Sequence, residues 1–460
     1  MILLILISFL FCLGLIGYYY KQKTKSLEDY VVGGRNIPWF LIAASLAAND
    51  IGAGASIGLV QSSIGGSGLF SAWYIWLMIP SYFIGSFVAP LIRKSEALTI
   101  PDFFGKKYGK VNQAISAFFM VIPNIGIIAI NLIAAGALIE VLLEIPKPAA
   151  LSIVLIVTLL YSYLGGIWAD VVTDAIQIIA VILGFSLALF FLWQSNLNFI
   201  SKIDFNVIPS QNSSLSKQQI FSLSILYIAN FIVGLSTSTR LYSSESGKSA
   251  RIGVLFCMPV YLIYAIVPAM LGVFLSEMGV VSSELTDIIT ALEGSLPTFL
   301  ILLIFIGIIS AALSTVDTLL IGCSAIVYND IFRMIYKKDF PSPQYEVNFV
   351  RIILVLISIL AFLIAIIGIG EIITFLLFLL GVQTSALFIS FLFGHFFDTK
   401  GQENTALITI LTTTLLFILL EKLEIRIWIL EPFIISIIFS CLVWMLFYKI
   451  QKRRNTNRQQ

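Results

Sequence analysis

Apolar residues run along this chain in blocks of about twenty, separated by short polar segments. A helix of that length is what crosses the hydrocarbon of a bilayer. The pattern predicts about thirteen spans, at residues 2–20, 38–62, 68–92, 112–143, 149–165, 171–194, 219–239, 252–278, 297–325, 350–369, 371–395, 404–421 and 430–448. The fold class this implies is an all-α integral membrane protein with little room for a soluble domain. The run 2–20 lacks a basic leading segment and a small-residue cleavage site, so it reads as a retained span, not a signal peptide.

One span breaks its own pattern. Ala47-Ala48-Asn49-Asp50-Ile51-Gly52-Ala53-Gly54-Ala55-Ser56 lies in the middle of an apolar block. Asn and Asp are costly at membrane depth, and two glycines weaken the helix. Non-helical backbone survives there only when buried in protein or lining a cavity. The span 219–239 carries its own interruption, with Asn230, Gly234 and Ser236-Thr237-Ser238-Thr239-Arg240. Leaving out the first span, each interruption opens a set of five. An odd number of spans makes two sets opposite in orientation, and interrupted helices at matching places point to a transporter's midplane site. The competing reading is a pair of Gly/Ser-rich helix-packing faces.

Charge supports the span pattern. Of the 27 Lys and Arg, 22 fall in one alternating set of loops and 5 in the other. The positive-inside rule then places the N-terminus outside and the C-terminus in the cytoplasm, in a cytoplasmic membrane. The basic tail Lys449–Gln460 reads as a stop-transfer anchor that also meets anionic lipid.

Composition agrees: 59% of residues are hydrophobic and 11% charged, against roughly 25% charged in soluble domains. Cys12, Cys257, Cys323 and Cys441 lie in apolar runs and read as small buried hydrophobes. The single histidine, His395, argues against a His-based metal site. No phosphate-cradling loop, Cys/His metal cluster or nucleophile elbow is visible, and the basic residues form no face suited to nucleic acid. An enzyme, a nucleotide-driven pump and a nucleic-acid binder are therefore not expected.

The ninth span carries a polar stripe. In Ser310-Ala311-Ala312-Leu313-Ser314-Thr315-Val316-Asp317-Thr318, Ala311, Ser314, Asp317 and Thr318 share one helical face. Hydroxyl and carboxylate oxygens suit a hard cation. Small residues and back-bonded hydroxyls also pack helices, but Asp317 needs a partner. Asp174, with Gln177 on its face, is either a cation ligand or a paired acid at a span mouth. Arg240 is either a loop charge or a gate residue. Trp73 and Trp76 are packing aromatics or a solute platform.

Several of these stretches resemble the sodium:solute symporter family. They are Val31-Val32-Gly33-Gly34-Arg35 before the broken span, Tyr161-Ser162-Tyr163-Leu164-Gly165-Gly166 with Thr173-Asp174 and Gln177, the Ser310–Thr318 stripe, and Tyr328-Asn329-Asp330-Ile331-Phe332. They occur in order from about residue 29 to 335. The resemblance implies a LeuT-type 5+5 inverted repeat: 1–28 an extra helix and loop, 29–200 and 201–398 the repeats, 399–460 two further helices and the tail. It implies sodium as coupling ion, no organic cofactor, and uptake of a small organic solute. The main sodium site would use carbonyls of Ala48, Ile51 and Ala311 and hydroxyls of Ser314 and Thr315. A second sodium position would fall on Asp174, Ser314, Asp317 and Thr318.

Gly52, Gly54, Ser56, Gln61, Trp73, Asn230, Ser236 and Gln383 are nominated to line the solute pocket. The chain departs from sugar-transporting members, which carry amide and acidic side chains where it has Ala53, Gly54, Ala55 and Ser56. It departs from proline-type members by Gly54 in place of Trp. An amino acid or choline-like solute is expected. The rival class is a sensor or regulator that keeps the fold and binds solute without net flux.

Overall fold

The computed structural model describes residues 2–195, 216–281, 285–336, 342–368, 372–423, 425 and 431–459. The chain opens with α1 (Ile2–Lys21), α2 (Leu27–Val32), α3 (Trp39–Asp50) and α4 (Ala53–Ser62). It continues with α5 (Trp73–Trp76), α6 (Ile79–Lys94), α7 (Ile100–Tyr108), α8 (Lys110–Leu143) and α9 (Lys147–Ser195). Next come α10 (Lys217–Val233), α11 (Leu235–Ser243), α12 (Gly247–Tyr264), α13 (Ile266–Glu277), α14 (Leu285–Ser295) and α15 (Thr298–Ile326). α16 (Arg333–Ile335), α17 (Pro343–Ile367), α18 (Ile372–Phe396), α19 (Glu403–Lys422) and α20 (Pro432–Gln459) complete it.

Among the described residues, nine helices are long and apolar enough to cross a membrane, or ten if the pair Gln218–Val233 and Leu235–Ser243, bent by 44°, is one span. The first interrupted span appears as α3 and α4, with helical geometry lost at Ile51 (φ −80°, ψ 51°) and Gly52 (φ −69°, ψ 171°). The second appears as α10 and α11, parted at Gly234 (φ −68°, ψ 136°). Backbone pairing ties the approaches to the two breaks together, because Ile37 bonds Ser243 O (3.1 Å) and Glu245 N (3.2 Å).

Two features differ from the span pattern. The spans expected at 149–165 and 171–194 join in α9, with no loop between, through a kink at Gly166 (φ 59°, ψ −156°). Only glycine fits there: a Cβ would lie 2.7 Å from Tyr30 O. The helical register therefore runs through Asp170, which the hydropathy limit leaves outside the span. The segment before span 112–143 forms α7, capped by Thr99, whose hydroxyl accepts from Asp102 N (3.0 Å). α7 buries Ile100, Phe103, Phe104 and Tyr108 and turns Lys106 and Lys107 outward, the amphipathic stripe of a surface helix.

The core centres on α15. Every residue from 307 to 326 is buried, as in a helix enclosed on all sides. Gly307 lets α9 approach closely, since a Cβ there would sit 3.0 Å from Val181 Cα. Of the cysteines, Cys257 and Cys323 are buried as expected, whereas Cys12 is exposed and Cys441 half-buried.

Candidate functional site

The C-terminal end of α3 leaves its last carbonyls without helical donors. Ile51 N still bonds Ala47 O (2.9 Å), so the unpaired carbonyls begin at Ala48. That end meets the middle of α15. The Thr315 hydroxyl donates to Asn49 O (3.2 Å) and lies 3.4 Å from Ala311 O, while Asn49 Nδ2 reaches Ser314 O at 3.5 Å. Ala48, Ile51, Ala311, Ser314 and Thr315 are all buried. The Ser314 hydroxyl has no hydrogen-bond partner of standard geometry. Carbonyls and hydroxyls thus converge here, with the Asp174 carboxylate within reach of the Ser314 hydroxyl.

One turn further along α15 the chemistry changes. Asp170 and Asp174 of α9 and Asp317 of α15 each bring one carboxylate oxygen within 4.8 Å of the others. All three are buried, and so is Arg240 of α11. Arg240 Nη2 lies 2.8 Å from Asp174 Oδ2 and 3.5 Å from Asp170 Oδ2, and it also donates to the Thr318 hydroxyl. Its Nε donates to Ser45 Oγ (2.6 Å), and Ser45 in turn donates to Asp174. Thr318 Oγ1 donates to Asp170 Oδ1 (2.8 Å), and Thr318 N donates to Asp317 Oδ1 (2.7 Å). Three carboxylates face one guanidinium, leaving a formal surplus of two negative charges. Asp174 Oδ1 and Asp317 Oδ2 have no hydrogen-bond partner of standard geometry. Such a surplus in a protein interior calls for a cation or protons.

The nominated solute-lining residues divide. Gly52 lies at the break, and a Cβ there would meet only ordinary contacts, 3.7 Å from Asn49 O and 3.8 Å from Thr315 Oγ1. Gly54 is in the first turn of α4, where its surroundings lie outside the described residues. Ser56 is buried, with its hydroxyl 2.7 Å from the Tyr264 hydroxyl and 3.2 Å from Gly52 O. Asn230 and Ser236 are half-buried on either side of Gly234. Gln61 and Trp73 are half-buried, and Trp73 packs edge-on to Trp76 at 6.0 Å. Gln383 is buried and structural. Its Nε2 donates to Val233 O (2.8 Å), and its Oε1 accepts from Asn124 (2.7 Å).

Sequence reasoning missed Asp170, although Asp170 and Asp174 stand four apart on one helical face, a signal it had available. It also missed Tyr82 and Tyr261, whose hydroxyls donate to Asp50 Oδ2. Asp50 is half-buried and forms no ion pair among the described residues.

Known proteins resemble this chain over different lengths of it. The profile of the sodium:solute symporter family matches residues 30–413. A sodium/glucose cotransporter of Vibrio parahaemolyticus is 33% identical over 166 residues, a stretch covering 36% of this chain and 30% of that protein. A sodium/pantothenate symporter of Haemophilus influenzae is 25% identical over 98% of this chain and 96% of its own length. A sodium/proline symporter of the same organism is 29% identical over 37% of this chain and 36% of its own length. A solved Na+-coupled sialic acid symporter, substrate-bound and outward-open, superposes with a TM-score of 0.79 at 17% identity, covering 97% of this chain and 96% of its own. A nucleobase-cation-symport-1 family transporter in a closed conformation gives 0.61 at 12% identity, covering 92% of this chain and 95% of its own. The fold is the LeuT-type transporter fold.

Proposed function

The chain belongs to the sodium:solute symporter family, and from that premise we propose that it imports a small organic solute across the cytoplasmic membrane by sodium-coupled alternating access. The observation that carries this reading is the break at Ile51–Gly52 set against Ser314 and Thr315. Unpaired carbonyls and hydroxyls at a helix break are apt ligands for a hard monovalent cation. In this reading the carbonyls of Ala48, Ile51 and Ala311 and the hydroxyls of Ser314 and Thr315 hold the coupling sodium. No organic cofactor takes part.

These ligands come from two elements, so sodium binds only where α3 and α15 are close. A ligand shifts a conformational equilibrium by its differential affinity for the two states. Bound sodium therefore favours the outward-open state and completes a solute pocket beside Gly52, Gly54 and α4. Entry is driven by the gradient and by about 2.3 kcal/mol per charge per 100 mV of inside-negative potential. Loss of sodium to the cytoplasm loosens the α3–α15 contact and lets the inner side open. The N-terminus is then outside and the C-terminus inside, with the repeats at 29–200 and 201–398.

Asp174, Ser314, Asp317 and Thr318 form the second sodium position of this proposal, with Asp170 as an added acid. The formal surplus of two negative charges supports it. Arg240 is the tethered counter-charge that holds α11 to α9.

The solute is an amino acid or a choline-like compound carrying a positive nitrogen. Asp50 supports this: a carboxylate within a span, held by Tyr82 and Tyr261 and without an ion-pair partner among the described residues, suits a cationic group beside aromatic rings. Asn230, Ser236, Trp73 and Gln61 extend the lining. Ser56 and Gln383 shape it through their bonds to Tyr264 and to Val233 O.

The test is thermal shift of the purified protein with sodium or potassium, across amino acids, quaternary amines, carboxylates, nucleosides and sugars. Uptake of each stabilising solute into proteoliposomes follows. Stabilisation that needs sodium and one amine-bearing solute together is expected by linkage. A lack of response to sodium at any concentration overturns the ion site. Binding without uptake overturns transport in favour of a sensor.

A further inference from the structure

α6 and α12 run side by side. Where α6 ends and α12 begins, an open cleft of about 500 Å³ lies between them. Pro90, Arg93 and Lys94 of α6 and Gly247, Lys248 and Arg251 of α12 line it, together with Ser246, the residue that caps α12. The lining holds four cationic side chains and no carboxylate; Glu96 and Glu245, adjacent in the chain, are not part of it. Arg93 is committed to Ser244 O through Nε (2.6 Å). Lys94, Lys248 and Arg251 are exposed and form no ion pair among the described residues. The N-terminal end of α12, which carries partial positive charge, adds to the same field.

The cleft continues into an apolar face. Arg251 lies over the Phe87 ring, 5.1 Å from its centroid. Phe87 is followed one turn away by Phe83, and both are more than half exposed, as is Phe256 on α12. In a chain that spans the membrane, these rings meet acyl chains. A basic cleft roomy enough for a phospholipid headgroup, at the head of a lipid-facing aromatic stripe, matches both ends of one molecule.

We propose that this cleft binds an anionic phospholipid, with the headgroup phosphate between Lys94, Lys248 and Arg251 and the acyl chains along Phe87 and Phe83. Basic pockets between membrane helices hold acidic headgroups in this way. The same loops belong to the set that is rich in Lys and Arg, which assigns the lipid to the cytoplasmic leaflet. The site joins an end of α6 to the start of α12, so an occupied cleft braces that helix pair. It does not depend on the transport reading.

Native mass spectrometry of the purified full chain tests this with dioctanoyl phosphatidylglycerol, dioctanoyl phosphatidylcholine and inorganic phosphate. Saturable binding of one phosphatidylglycerol is expected, weakened about a hundredfold in Lys94→Gln/Lys248→Gln/Arg251→Gln, since each basic residue near an acidic headgroup contributes roughly fivefold. Lys94→Arg/Lys248→Arg retains binding. Lys449→Gln/Lys452→Gln/Arg453→Gln in the tail leaves it unchanged. Should the triple variant fail to purify, Lys248→Gln alone weakens binding about fivefold. Equal binding by wild type and the cleft variants, or a loss that follows the tail variant instead, overturns the site. Equal affinity for phosphatidylcholine overturns the anionic requirement. Displacement of phosphatidylglycerol by an equal concentration of inorganic phosphate reassigns the cleft to a free anion and overturns the lipid.

Discussion

The two interrupted helices use one backbone device and finish it differently. At Ile51–Gly52 the freed carbonyls of α3 receive one side-chain bond among the described residues, from the Thr315 hydroxyl to Asn49 O at 3.2 Å. At Gly234 the last carbonyl of α10 is closed by a side chain from a distant helix: Gln383 of α18 donates to Val233 O at 2.8 Å. A helix end buried away from water needs partners for its carbonyls. The second break finds one in Gln383. In the function proposed above, the first keeps its oxygens for the coupling ion. Pseudosymmetric halves therefore need not share chemistry: one break is a socket and the other a strut.

Removing the strut has the largest expected effect. Arg240→Ala strands buried carboxylates beside Asp174, and breaking such a pair costs about 3–5 kcal/mol. Thermal unfolding in detergent reads it, and Arg240→Ala/Asp174→Asn should recover part of the loss. An Arg240→Ala protein as stable as wild type means that the second break is not anchored there.

Next comes the socket. If the proposed site holds sodium, Ser314→Ala and Thr315→Ala each remove a ligand oxygen from a charged ion, roughly 1.5–3 kcal/mol, or more than tenfold in sodium affinity. Stability in potassium should change by less than about 1 kcal/mol, because Thr315 makes only neutral hydroxyl–carbonyl bonds, at 3.2 Å and 3.4 Å. Sodium titration by thermal shift separates the two quantities. Unchanged sodium affinity in both variants removes the socket from that place.

Gln383→Ala acts on the strut with the opposite signature. It leaves Val233 O without its side-chain partner in the interior and takes one of the two bonds of Asn124 Nδ2, which keeps Met120 O, costing about 1–3 kcal/mol of stability. Sodium affinity should stay within about threefold of wild type. A loss of sodium binding without a loss of stability would place Gln383 with the socket after all.

The two regions were unequally legible in the sequence. The socket shows itself because Asn49, Asp50, Gly52 and Gly54 violate an apolar block, and because Ser314 and Thr315 fall on a stripe of small residues. Local composition carries that signal. The strut depends on contacts between distant segments. Arg240 reads as a loop charge at a span end, and its burial follows from Asp170 and Asp174, some 70 residues away. Asp170 itself sits just beyond a hydropathy limit, and only the kink at Gly166 continues the helix through it. Gln383 shows no sequence sign of its partners, since the amide it meets lies on α8 and the carbonyl on α10. Hydropathy locates spans; it does not say which polar atoms meet between them.

The smallest effect sharpens the socket most. Asn49 stands two residues before the break, yet its amide only reaches Ser314 O at 3.5 Å, the limit of a hydrogen bond, and it remains half-buried. Its carbonyl, by contrast, accepts from Thr315 at 3.2 Å. If backbone oxygens hold the ion, Asn49→Ala keeps everything that matters. Stability should change by less than about 1 kcal/mol and sodium affinity by less than about threefold, because a marginal neutral bond contributes little. Sodium titration of Asn49→Ala beside Thr315→Ala makes the contrast within one experiment. An Asn49→Ala defect as deep as that of Thr315→Ala would mean that the side-chain amide, and not the opened backbone, is what the break presents to the ion.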